Sequence, residues 1–183
     1  MALHSGMPAC SRRWFLAAIA AGPLVQPVLA AKVDEQAFFK ALAGRWQAKG
    51  SLKNANSELT ELEQSWEGKF DGTGSFQIEG TRTINGKSDR FSWTYTHNQA
   101  TDAYEAVLSG GDGANPLRFE CSLADGSLEM TLKSITGSGS AAIELVDRIT
   151  ANGSVLTTEV RFTNEAGEST LTGSIRNERV KTP

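Results

Sequence analysis

The chain has 183 residues, enough for one domain and short for two. Its formal net charge of −3 becomes −5 once a leader carrying Arg12 and Arg13 is removed, because no acidic residue precedes Asp34. Such an acidic chain lacks the basic surface that nucleic acid and anionic membranes require, so neither is expected as a partner. With Cys10 in the leader, only Cys121 remains, and no intramolecular disulfide can form. Stability must then come from a packed core, in which Cys121 reads as a small buried hydrophobe.

Ser11-Arg12-Arg13-Trp14-Phe15-Leu16 carries the twin-arginine export pattern, with Ala17 where a Lys is common. The apolar run from Trp14 to Val25 is too short to cross a hydrocarbon layer of about 30 Å. Val28-Leu29-Ala30 supplies the small residues that signal peptidase accepts. Residues 1–30 therefore read as a twin-arginine signal peptide cleaved after Ala30, and 31–183 as one domain delivered to the periplasm. No segment of that domain is long and apolar enough to span a membrane.

Asp34 is a plausible N-cap, and Phe38, Phe39 and Leu42 recur at helical spacing, so a short amphipathic helix is expected over 34–43, ended by Gly44 in a left-handed conformation. From there the apolar period changes to two. Gly44, Trp46, Ala48 and Gly50 share one face of the first strand. Leu62, Gln64, Trp66, Gly68 and Phe70 share one face of the second, and Phe76, Ile78, Gly80, Arg82 and Ile84 of the third. Asn85-Gly86 signals a two-residue hairpin, because both central positions of a type I′ turn need positive φ. Phe91, Trp93, Tyr95 and His97 follow, then Tyr104, Ala106 and Leu108, then Leu117, Phe119, Cys121 and Leu123. Leu128, Met130 and Leu132 form a seventh inner face. The eighth strand is ambiguous between Ile143, Leu145, Asp147, Ile149 and the opposite set. Asn152-Gly153 marks another hairpin before Leu156, Thr158, Val160 and Phe162, and Leu171, Gly173, Ile175 and Asn177 complete the series.

About ten strands joined by short turns, with no helical crossover, imply antiparallel pairing. An open sheet of that size would leave two edges and an uncovered apolar face. The expected fold is therefore all-β, an up-and-down barrel with the short N-terminal helix closing one end; a two-sheet sandwich is the alternative. The helix, the Gly44-Arg45-Trp46 start and the antiparallel series resemble the calycin group of lipocalins, fatty-acid-binding proteins and nitrobindin-like barrels. The resemblance implies that Trp46 packs inside the closed end as a structural residue. The Arg-x-Tyr carboxylate clasp of fatty-acid-binding proteins has no counterpart in Ser174-Ile175-Arg176-Asn177-Glu178-Arg179, and the histidine before the C-terminus of nitrobindin-like barrels is missing.

If Trp46 points inward, a few inner positions are polar: Gln64, Arg82, Tyr95, His97, Tyr104, Asp147 and Asn177. Isolated polar groups on an apolar lining are characteristic of a small-molecule pocket. Gln64, Trp66, Arg82, Trp93, Tyr95, His97 and Tyr104 are the candidate ligand-binding residues. An inward Arg82 needs an anionic partner, either a ligand carboxylate or Asp147, unless it sits near the barrel mouth, in solvent or paired internally. His97 reads as a rim histidine or, alone, as an axial haem ligand. One histidine is too few for a zinc site, and no nucleophilic triad is visible. The function expected is binding of a small hydrophobic or amphipathic ligand, a carboxylate among the candidates, with no resident cofactor. A packed, ligand-free interaction module, a haem barrel using His97 and an enzyme using the barrel as a reaction chamber are the alternatives.

Overall fold

The computed structural model describes residues 33–34, 36–110, 115–136 and 141–181; the signal peptide expected over 1–30 lies outside the described residues. Among the described residues one helix, α1 (Ala37–Leu42), precedes ten strands: β1 (Gly44–Asn54), β2 (Leu59–Phe70), β3 (Phe76–Ile84), β4 (Lys87–Asn98), β5 (Ala103–Gly110), β6 (Leu117–Leu123), β7 (Glu129–Ser134), β8 (Ala142–Ile149), β9 (Val155–Thr163) and β10 (Ser169–Arg179). Each strand pairs antiparallel with the next. β10 returns to β1, with Trp46 opposite Arg179 and Asn54 opposite Leu171. The sheet is a closed barrel without edges, not a sandwich, because every strand has a partner on both sides.

Closure works because each strand keeps one face apolar. Trp46, Ala48, Leu62, Trp66, Phe76, Ile78, Phe91, Tyr95, Phe119, Cys121, Met130 and Leu132 are all buried on the inside. The ambiguous strand β8 takes the phase with Ile143, Leu145, Asp147 and Ile149 inward, since Asp147 lies opposite inward Met130 on one side and Thr158 on the other. The outward face carries charge, including ion pairs Lys49–Glu63 at 2.8 Å and Lys69–Glu79 at 3.2 Å. Among the described residues no helix is long and apolar enough to cross a membrane.

The helix is shorter than the sequence suggests. It begins at Ala37, and Asp34 lies in a preceding turn rather than at the N-cap. The reason is Gln36, which is buried at 2% exposure and spends its side-chain amide on long-range bonds to Tyr104 Oη at 2.9 Å and Asp125 Oδ1 at 3.0 Å. Those bonds fix where the chain enters the barrel end. Phe38, Phe39 and Leu42 do bury as the helical spacing predicts, and Phe39 packs on Phe76, Tyr95 and Tyr104.

Arg179, unremarked in the sequence, ties this end together. Its guanidinium donates to the carbonyls of Ala41, Ala43 and Gly153 and lies 4.4 Å over the Trp46 ring. Trp46 Nε1 donates to Leu42 O at 2.9 Å. The last carbonyls of α1, which no helix can satisfy internally, are thus capped by the first and last strands. Gly44 makes this possible: its φ is +119°, and a Cβ there would lie 2.6 Å from Arg179 Nη1.

Candidate functional site

Between the aromatic end and a smaller cluster of Ala48, Leu62, Val160 and Ile175, the barrel is hollow. The cavity measures about 280 Å³. It runs from Leu42, Trp66 and Asn177 near the helix to Leu52, Arg82, Ile84 and Leu117 at the opposite end. Drug-sized sites span roughly 300–1,000 Å³, so this one suits a compact molecule such as a small bicyclic ring system.

Five of the seven predicted residues line this space: Gln64, Trp66, Arg82, Trp93 and Tyr95. They come from β2, β3 and β4, three adjacent strands whose inner faces the Trp46 parity identifies. Tyr104 and His97 point inward but sit beyond the cavity, at the helix end. Tyr104 receives the Gln36 amide, and His97 packs on the Tyr104 ring with centroids 5.0 Å apart. The His97 Nε2 lies 3.2 Å from Asp102 Oδ1. No described residue places an imidazole in the cavity, so a haem seated there would have no histidine ligand, and His97 in particular is out of reach.

Arg82 is paired internally near the barrel mouth, with a partner that is neither of the two named candidates. Asp89, directly across the β3–β4 hairpin, accepts Nε at 2.9 Å and Nη2 at 2.8 Å in a two-pronged pair. The arginine holds the Asp89 carboxyl below its usual range. The pair is partly solvated, with side-chain exposures of 25% and 32%, and so marks a place where the cavity meets water. The sequence contained the signal: a two-residue turn at Asn85-Gly86, with φ of 48° and 78°, sets Arg82 opposite Asp89 by counting outward from the turn.

Deeper in, the polar groups are few. Trp66 Nε1 donates to Asn177 Oδ1 at 2.9 Å, and Asn177 Nδ2 donates to Leu156 O at 3.2 Å, so that pair is internally satisfied. Thr158 Oγ1 donates to Asp147 Oδ1 at 2.5 Å. Neither Thr158 nor Asp89 is among the residues singled out from the sequence. Asp147 is 8% exposed, and burial pushes its carboxyl up to about 6, against the opposing pull of the Thr158 hydroxyl. The Tyr95 phenol is raised well above its ordinary value, chiefly by burial and further by the charges of Asp147 and Cys121. Every fully enclosed side-chain nitrogen or oxygen among the described residues has a hydrogen-bond partner. The Tyr95 hydroxyl and the second Asp147 oxygen have none among those residues, so both open onto the cavity.

No family model matches this chain, and no curated protein matches it. Among solved structures, an S-type phycobiliprotein lyase, CPES, from Guillardia theta aligns with a TM-score of 0.57 at 12% identity, covering 84% of this chain and 96% of that one. A protein of the DUF3598 family from Nostoc punctiforme aligns with a TM-score of 0.53 at 12% identity, over 78% of this chain and 49% of that one. This chain thus spans about half the length of the second. These structural neighbours are lipocalin-like, calycin-type β-barrels. At such identities the likeness is one of fold, and agrees with the architecture implied by Gly44-Arg45-Trp46.

Proposed function

We propose that this chain is an exported, periplasmic barrel that binds a small, compact, largely apolar molecule in its interior. The observation that carries the reading is the cavity of about 280 Å³, walled by Leu, Ile and aromatic side chains and set with isolated polar groups. A barrel evolved only as a rigid interaction module would gain stability by filling that space. Export rests on the twin-arginine pattern at Arg12-Arg13 and the Ala30 cleavage site. A ligand carboxylate held by Arg82 has less support than the sequence alone suggests, because Asp89 already engages both prongs of the guanidinium.

Trp66 and Trp93 line the cavity and report on its contents. Methylindane, a neutral bicyclic hydrocarbon of suitable size, is expected to change their emission saturably in the purified mature protein. Native mass spectrometry of protein taken from the periplasm is expected to show bound small molecule. An emission unmoved by any compact apolar probe, with a uniformly empty mass spectrum, would remove the binding reading.

A further inference from the structure

We infer that the ligand carries a hydrogen-bond-donating nitrogen, an amine or its ammonium form, on a compact apolar frame, and that Asp147 receives this nitrogen. The inference rests on the binding reading above and specifies the chemistry of that site. It starts from an imbalance in the lining. Asp147 projects from β8 into an apolar space, is 92% buried, and has only one of its two oxygens bonded, to Thr158. A buried carboxylate requires a positive or donating partner. Arg82 is the only lysine or arginine on the described lining, and both prongs of its guanidinium are held by Asp89 at the partly solvated end. Of the amide side chains on the lining, Asn177 is committed to Trp66 and Leu156, and Gln64 lies opposite Arg82, toward the partly solvated end.

The cavity therefore presents an acceptor in need of a donor. With a carboxyl that titrates at about 6, Asp147 is mostly ionised near neutral pH. An anionic ligand would bring a second negative charge into the same low-dielectric space. A cationic amine cancels the charge and takes the free oxygen. The apolar body of such a ligand would lie against Trp93, Phe119 and Leu145, which form the adjoining wall. Trp93 is stacked on Tyr95 with centroids 5.9 Å apart, so this aromatic part of the wall is held in place.

The test compares three probes of one shape: aminoindane, methylindane and indane carboxylate, titrated against the mature protein near neutral pH and followed calorimetrically. Aminoindane is expected to bind roughly tenfold to a hundredfold tighter than methylindane, the range for a hydrogen bond to a buried charged group, and the carboxylate to bind weakest. In the isosteric variant Asp147→Asn, the ratio of amine to methylindane affinity is expected to fall to about one. Equal binding of amine and methylindane by the native sequence overturns the inference and leaves the binding cavity standing. So does tightest binding of the carboxylate, or an amine preference that survives Asp147→Asn. Failure of all three probes to bind removes the cavity reading itself, and the inference with it. The comparison among probes on the unaltered protein is decisive even where the variant is unstable.

Discussion

At Asp147 the protein retains a carboxyl group that its surroundings would prefer neutral. Burial raises its pKa from 3.8 to about 6 in the folded state, so between those values the native chain holds a proton that the unfolded chain has released. The sign follows from linkage: below about pH 4 both states are protonated and the residue carries no penalty, and stability is lost as pH rises through the folded value. The loss at neutral pH is at most roughly 3 kcal/mol, from the size of the shift. Asp147→Asn keeps the shape and removes the titration. Urea unfolding is expected to show the variant more stable than the native protein at about pH 7.5, with that gain gone at about pH 4. A gain of equal size at both pH values would mean that ionisation of Asp147 is not the cause. Cys121 illustrates the opposite outcome of burial. At 4% exposure its thiol is pushed up to about 12, and it serves as packing, as the sequence suggests.

Among the elements, α1 depends most on the rest of the fold. Six residues cannot hold a helix by themselves, and this one has no side-chain N-cap. It persists because Phe38, Phe39 and Leu42 bury in the barrel end and because Arg179 and Trp46 take its last carbonyls. Burial lowers the Arg179 pKa, but its three backbone acceptors compensate for the cost. Arg179→Met keeps most of the side-chain length and discards every donor. Hydrogen bonds to charged groups contribute about 1.5–3 kcal/mol each and are not additive, so a total loss of about 3 kcal/mol is expected, read as a lower midpoint in thermal or urea unfolding. An unchanged midpoint would show that the clamp is ornamental. The helix itself was legible in the spacing of its three apolar residues, but its start was not. The start is set by Gln36 reaching Tyr104 and Asp125, partners distant in sequence that no local pattern encodes. The polar pairs of the cavity were nearer to hand. Counting outward from Asn85-Gly86 pairs Arg82 with Asp89, and counting from Asn152-Gly153 pairs Asp147 with Thr158. Hairpin register, applied to side chains as well as backbone, would have found both.

For the whole molecule, the period-two pattern that begins at Trp46 places the inner face of every strand but β8, because one buried face leaves no freedom of register. Parity says which side chains face inward; it does not say whether they meet. That depends on the summed volumes of residues from ten strands and on the barrel's tilt, neither of which is local. Hollow and packed interiors can be told apart by adding volume. Leu145 lies on the cavity wall and contacts both core clusters. Leu145→Trp would project an indole into the empty space. In a packed barrel such overpacking costs typically about 1–3 kcal/mol. In this one the added ring has a cavity of about 280 Å³ to enter, and the apolar area it buries offsets the strain. The unfolding midpoint is therefore expected to hold or rise, while methylindane binding is lost because the ring occupies its place. A fall in stability together with unchanged probe binding would mean that the interior is closed and that ligands, if any, bind elsewhere.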